Sequence, residues 1–268
     1  MVSEKEMWFF EKALNIGTGF KFNNCIYTTE SKYQKIGVYE SKAFGRVLVL
    51  DGIIQLTEAD EHVYHEMLVH PAFLYTKAKR VVVFGGGDLC AAREILKYDF
   101  VNEVHVCEID EEVIKVIKEF FPRLVKGVMN DKRLKIIIMD GAKYIKSMPP
   151  KDIILIDSSE PISYSRNITN LKFYEECILK SRTLVYQGGC AYFKHHVPKA
   201  NSKSIVKYVA PIPSYPTGMW SFVLVTGDKL HDDNKIPNTR FFSTEIFHQM
   251  VKLYDIVQSV RDNFKDLA

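Results

Sequence analysis

The chain has 268 residues, 47% of them hydrophobic and 26% charged, with a formal net charge of +3. That is enough apolar material for one large core, or one main domain with a small satellite, and it excludes fibrous and disordered classes. The basic residues are scattered apart from short groups such as Lys77 to Arg80, so no nucleic-acid partner is expected, because such a footprint needs clustered charge with interleaved aromatics.

Met1 to Phe10 mixes Glu4, Lys5 and Glu6 with Trp8, Phe9 and Phe10 and does not read as a secretory leader. Apolar runs such as Val81 to Phe84 and Ile153 to Ile156 fall far short of the roughly 20 residues of a membrane-spanning helix. The expectation is a cytoplasmic protein with no membrane partner. Five cysteines, Cys25, Cys90, Cys107, Cys177 and Cys190, are widely spread and never form a Cys-x-x-Cys pair. They read as free buried thiols, with neither a disulfide framework nor a zinc site.

From Phe20 to Thr57 short strands alternate with turns. Cys25 to Thr28, Lys35 to Tyr39, Arg46 to Leu50 and Ile53 to Leu56 are the strands, and Phe44-Gly45 and Asp51-Gly52 are turn candidates. A helix over Glu61 to Tyr75 follows, its apolar residues at helical spacing. We place the boundary there, giving an N-terminal β domain over 1–60 and a Rossmann-like catalytic domain over 61–268.

Beyond Lys79, apolar strands alternate with helical segments, the pattern of a mostly parallel sheet with helices on both faces. The predicted strands are Arg80 to Phe84, Glu103 to Cys107, Leu134 to Met139, Asp152 to Ile156, Leu184 to Phe193 and Trp220 to Thr226. The predicted helices are Cys90 to Lys97, Glu111 to Phe120, Ala142 to Ser147, Leu171 to Arg182, Asn201 to Tyr208 and Thr244 to Asn263.

The first chemical signal is Gly85-Gly86-Gly87-Asp88 at a strand-to-helix turn, where glycines let a ligand approach backbone amides at a helix start. Glu108 ends the next strand about 20 residues on, placed to accept hydrogen bonds from ribose hydroxyls. Together these imply a nucleoside-bearing ligand, whether a nicotinamide dinucleotide or a relative of S-adenosylmethionine. Asp140, Asp157 and Glu160 end the third and fourth strands. With Asp88 and Glu108 they gather five acids on one rim, and such repulsion persists only where a cation or hydrogen-bond donors offset it. The ligand is therefore expected to carry positive charge.

These residues resemble the spermidine synthase family of polyamine aminopropyltransferases, from about Tyr27 to Phe242. The resemblance is carried by Ser31-Lys32-Tyr33-Gln34, Val49-Leu50-Asp51-Gly52-Ile53-Ile54-Gln55, Thr57-Glu58-Ala59-Asp60-Glu61 with Tyr64-His65-Glu66-Met67, Gly85 to Asp88 with Arg93-Glu94, Glu108-Ile109-Asp110, Asp140-Gly141, Asp157 to Pro161 and Tyr215-Pro216-Thr217-Gly218. It implies transfer of an aminopropyl group from decarboxylated S-adenosylmethionine to a polyamine, with putrescine as the default acceptor and 5'-methylthioadenosine as product. The donor is a co-substrate; no cofactor and no metal are implied.

By the same resemblance Gln34, Gly85, Gly87, Asp88, Glu108, Ile109, Asp140 and Gly141 bind the donor. Gln55, Tyr64, His65, Asp88, Asp157, Glu160, Tyr215 and Trp220 face the amines, and Asp157 accepts the proton. A homodimer or homotetramer built partly through the β unit is implied as well. The chain departs from the family pattern at Leu89 and Cys90, where a glycine and a small residue are usual, at Glu160, where aspartate is common, and at Ile162 to Arg166, where a glycine-proline pair shapes a gate. A methyltransferase on the same sheet and a non-catalytic relative binding nucleoside or polyamine stay open as alternatives.

Overall fold

The computed structural model describes residues 7–13, 16–159, 163–193, 197–200, 203–231 and 234–263. It opens with a hairpin of β1 (Met7–Ala13) and β2 (Ile16–Phe22). A four-stranded antiparallel sheet follows: β3 (Asn24–Glu30), β4 (Lys35–Ser41), β5 (Gly45–Leu50) and β6 (Ile53–Thr57). Phe20 and Phe22 of β2 pack with Val47, Val49 and Ile54 into a satellite core.

Helix α1 (Glu61–Tyr75) is buried along almost its whole length, including Glu61, His65, Glu66 and His70, which are paired or hydrogen-bonded there as buried polar groups must be. After it the chain alternates: β7 (Arg80–Gly85), α2 (Cys90–Leu96), β8 (Glu103–Glu108), α3 (Glu111–Phe120), β9 (Leu134–Ile138), α4 (Gly141–Ser147), β10 (Lys151–Asp157), α5 (Leu171–Lys180) and β11 (Ser181–Cys190). Two antiparallel strands, β12 (Ser204–Pro211) and β13 (Met219–Thr226), and the long α6 (Thr244–Asn263) complete it. The main sheet runs β12-β13-β11-β10-β7-β8-β9.

Strands β9, β8, β7, β10 and β11 are parallel to one another, and β11 is antiparallel to β13. Val81 to Phe84 and Ile153 to Ile156 are buried, the continuous apolar runs of strands covered on both faces. One core gathers α1, α2 and α3 on one face of the sheet and the other gathers α4 and α5 on the opposite face. The chain moves outward from β7 to β8 and β9, then returns to place β10 on the other side of β7. That reversal opens a crevice at the carboxyl ends of β7 and β10, where open α/β sheets bind ligands.

The expected architecture of a small antiparallel unit followed by a mostly parallel, helix-covered sheet is present. Three local expectations are corrected. Asn201 to Tyr208 was expected to be helical, whereas Ser204–Pro211 is a strand paired along its length with β13. Its Ile205-Val206 and Tyr208-Val209 pairs mimic helical spacing, but their β-branched and aromatic side chains suit a pleated edge better. The strand expected over Leu184 to Phe193 is β11, which begins at Ser181 directly after α5 and ends at Cys190. The β1–β2 hairpin was not anticipated, because Gly17 and Gly19 interrupt its apolar pattern.

Glu66 of α1 is fully buried, and its carboxylate accepts hydrogen bonds from the backbone amides of Arg240, Phe241 and Phe242 at 2.7–2.8 Å. One side chain thus fastens the segment leading into α6 against α1. A charge-assisted bond is worth roughly 1.5–3 kcal/mol. Glu66→Gln, which turns an amide donor toward those donors, is expected to destabilise the fold by about 3 kcal/mol in denaturant unfolding, with faster hydrogen exchange at residues 240–242.

Candidate active site

The turn after β7 is fixed by backbone contact. Gly85 and Gly86 have φ of +78° and +69°, and the amide of Gly86 donates to the carbonyl of Asp157 at 2.7 Å. A Cβ added at Gly85 would lie 2.1 Å from that carbonyl oxygen, so only glycine lets β7 and β10 end so close together. Next along the chain, Asp88 accepts from the amide of Cys90 at 2.8 Å, which orients its carboxylate. Leu89 caps α2 with φ of +63°, a left-handed conformation costing a non-glycine residue roughly 1–2 kcal/mol. Its side chain is fully buried in the core, so the bulk that replaces the family's usual glycine is absorbed there.

These ends border a cleft with about 1410 Å³ of space, counted to its open mouth, enough for a nucleoside carrying a chain. Gln34, Gln55, Tyr64, Gly85, Gly87, Asp88, Glu108, Ile109, Asp140, Gly141, Asp157, Tyr215 and Trp220 all line it. His65 does not: it is 2% exposed and lies behind the carboxylates. Glu160, with Pro161 and Ile162, lies outside the described residues, and of the expected gate the backbone over Ser163–Asn167 forms a 3-10 turn.

At one end Glu108 accepts from the amide of Asp110 at 2.9 Å. Burial pushes its carboxyl up to about 7, with the charge of Asp110 adding and the backbone hydrogen bonds opposing. Asp110 caps α3 and accepts from Ser31 at 2.6 Å and from the Gln34 amide at 2.9 Å, tying the loop between β3 and β4 to the end of β8. Asp140 caps α4 and accepts from Asn167.

At the other end the Tyr215 hydroxyl donates to the carbonyl of Gln55 at 2.7 Å, and the Trp220 indole donates to Gln187 at 3.0 Å. The rings of Tyr64, Tyr215 and Trp220 stand 4.8–5.8 Å apart in sequence of contact, forming an apolar wall suited to methylenes. Between the two ends His65 bridges the acids. One ring nitrogen lies 3.2 Å from Asp88 and 3.8 Å from Asp157, and the other lies 3.0 Å from Glu61.

Arg93 grips Glu61 with both terminal nitrogens at 3.0 and 2.9 Å. Burial opposes charge on Glu61, but His65 and Arg93 outweigh it and hold the carboxyl down at about 2. Burial also disfavours the His65 imidazolium, yet Asp88, Glu61 and Asp157 raise it well above its ordinary value. Asp88 is in turn held below its usual range by His65, which outweighs its burial. Asp157 is different. Burial first, and then the charge of Asp88, push it up to about 7 against the pull of His65 and Tyr64. Its Oδ2 atom is buried and has no hydrogen bond among the described residues.

Glu61, Arg93 and Asp110 are the site residues not assigned from sequence. Glu61 lay within reach, four residues before His65 on the same face of a helix. Nothing local marked Arg93. His65 with Asp88 and Asp157, and Glu61 with His65 and Cys90, bring possible metal ligands within 4.8 Å of one another.

Residues 61–235 match the spermine/spermidine synthase domain, and residues 7–58 the spermidine synthase tetramerisation domain. The chain belongs to the spermine/spermidine synthase family. It is similar to the polyamine aminopropyltransferase of Caldicellulosiruptor saccharolyticus, 33% identical over 97% of this chain and 99% of that protein. A Xylella fastidiosa polyamine aminopropyltransferase is 34% identical over 90% and 87%. A spermidine synthase solved with the transition-state analogue AdoDATO has a TM-score of 0.84 at 27% identity, covering 96% of each chain. The Thermotoga maritima spermidine synthase structure gives the same score and identity over 96% of this chain and 95% of that one. This family member is accordingly an enzyme of the polyamine aminopropyltransferase class. No helix among the described residues is long and apolar enough to cross a membrane.

The raised carboxyl of Asp157 has a stability consequence. Its unfolded value is near 3.9 and its folded value about 7, so folding favours the protonated form. Its stabilising share is full below about pH 4 and is lost as pH rises through about 7. Asp157→Asn is expected to raise stability by about 1–3 kcal/mol at pH 8 and by almost nothing at pH 4, measured by denaturant unfolding at both values.

Proposed function

We propose that this enzyme transfers the aminopropyl group of decarboxylated S-adenosylmethionine to a diamine, with putrescine as the default acceptor, and releases 5'-methylthioadenosine. The observation that carries this reading is Asp157: a buried carboxyl at about 7 with an unbonded oxygen, beside an ionised Asp88 and an apolar aromatic wall.

An aliphatic ammonium loses its proton near pH 10.4, so the attacking nitrogen arrives without a free lone pair. Asp157 accepts that proton, and a base balanced near the working pH is the efficient choice. The nitrogen then attacks the methylene beside the sulfonium. The carbon–sulfur bond breaks, its electron pair stays on sulfur, and the neutral thioether leaves. Holding the partners in line supplies several kcal/mol of the barrier.

Asp88 binds the donor's own ammonium. Intact S-adenosylmethionine ends in a carboxylate, which an ionised Asp88 repels in a poorly solvated cleft; this weighs against methyl transfer. Gln34, Glu108, Ile109 and Asp140, with the glycines at 85, 87 and 141, hold the adenosine. Gln55, Tyr64, Tyr215 and Trp220, together with Glu160, form the acceptor side. No metal or cofactor enters this scheme. The reading divides the chain after residue 60 and gives the N-terminal unit to self-association as a homodimer or homotetramer. Trp8 and Phe10, 55% and 62% exposed on β1, supply apolar surface for that contact.

The test is methylthioadenosine release from decarboxylated S-adenosylmethionine with putrescine, agmatine, cadaverine, norspermidine and spermidine in turn. Turnover is expected with putrescine. Asp157→Asn is expected to lose at least about 100-fold in kcat while methylthioadenosine affinity holds; a variant retaining most of its rate puts the base elsewhere.

Glu108 adds a pH dependence. It stands at about 7 in the free enzyme, and ribose hydroxyls donating to its carboxylate lower that value. Binding therefore releases a proton, and methylthioadenosine affinity is expected to rise between pH 6 and pH 8. Calorimetry in two buffers of different ionisation heat reads the released proton directly.

A further inference from the structure

The paired charges behind the cleft extend away from the reacting groups. The Glu61 side chain does not line the cleft and is 1% exposed, yet it contacts His65 through one carboxylate oxygen, beside the 2.7 Å contact of the same ring nitrogen with the Glu61 backbone carbonyl, and receives a two-pronged grip from Arg93. His65 is itself off the cleft and contacts two of the acids that border it, Asp88 and Asp157. The order of charges is Arg93 positive, Glu61 negative, His65 positive, then Asp88 and Asp157. Each member is held by the one before, and the chain runs from α2 through α1 to the ends of β7 and β10.

We infer that Glu61, fixed by Arg93, is a positioning residue for aminopropyl transfer: it keeps His65 doubly protonated as a wedge between Asp88 and Asp157, so that Asp88 stays ionised and Asp157 can surrender and accept a proton. This rests on the transfer reading given above. Without the wedge, two carboxylates facing one pocket repel, and one of them takes up a proton at neutral pH. With it, Asp88 is free to hold the donor's ammonium while Asp157 serves the acceptor.

The groups facing His65 from each packed element are few. On its own helix they are Glu61 and Tyr64, the latter with its ring 5.0 Å away. The turn and start of α2 present Asp88 and Cys90, and burial pushes the Cys90 thiol well up, so it stays neutral. From β10 comes Asp157, and Arg93 reaches the cluster through its two bonds to Glu61 and a 3.6 Å contact with the Cys90 sulfur. Glu61 is thus the group that secures the imidazolium from the side away from the cleft. A purely structural role, pinning α1 to α2, would leave the protonation of Asp157 untouched.

The test separates these. Glu61→Gln keeps the size of the side chain and removes its charge. The acidic limb of log kcat/KM against pH is expected to move up by about one unit or more, with the rate recovering toward wild type at high pH. His65→Gln is expected to show the same displacement, and Glu61→Gln with His65→Gln together no more than His65→Gln alone. A uniform loss of rate with an unmoved limb, or a double variant shifted further than His65→Gln, overturns the inference.

A measurement on the unmutated protein guards against variants that fail to fold. Nitrogen-15 NMR of labelled histidines is expected to show both ring nitrogens of His65 protonated at pH 8; a neutral His65 at pH 7 overturns the inference. That reading needs no turnover. A wild-type protein that binds methylthioadenosine but releases none from the donor sinks the transfer reading instead, and the NMR titration still decides the charge chain.

Discussion

The closeness of Gly85 and Gly86 to the carbonyl of Asp157 is the contact on which the site depends. A hydrogen bond of 2.7 Å and a gap too small for a methyl group bring β7 and β10 together at their carboxyl ends. Because these two strands flank the reversal in the sheet, everything attached to their ends faces one crevice. Asp88 follows the first strand by three residues, Asp157 ends the second, and their mutual repulsion is a consequence of the backbone approach.

That repulsion makes the cleft chemically uneven. Asp88 is tied down by His65 and by a backbone amide, while Asp157 keeps a buried oxygen with no hydrogen-bond donor among the described residues. Two acids a few ångströms apart therefore sit in opposite protonation regimes, an arrangement that divides the labour of binding a cation and accepting a proton. At the far end Glu108 is shifted for a different reason, burial beside Asp110. The cost of burying these acids is carried by the rest of the core, in line with the strained, destabilised character of binding sites.

Leu89 shows how the scaffold tolerates a local irregularity. Its left-handed backbone would suit glycine, but its side chain is enclosed in the core under α2. Burying a leucine is worth roughly 1.5–3 kcal/mol, which offsets a conformational cost of roughly 1–2 kcal/mol. The turn keeps the path that orients Asp88.

The alternation of apolar strands with helical segments, the glycine turn, and acids at the ends of successive strands were all legible in the chain, because each depends on neighbours within a few residues. From them followed the parallel sheet and the rim that bears the site, while the aromatic and glutamine part of the cleft lining came from the family resemblance. The strand Ser204–Pro211 was misread because its apolar spacing fits two periodicities, and only pairing with β13 chooses between them. The placement of His65 behind the acids, the grip of Arg93 on Glu61 and the link from Gln34 to Asp110 join residues 23 to 76 positions apart. No local pattern encodes such distances. They arise when α1 is buried against the sheet and α2, and burial then sets which carboxyls are charged. The sequence by itself determined which residue types stand at the strand ends; only the tertiary structure decided their proton affinities, since these depend on what water is excluded and which opposite charge lies within a few ångströms.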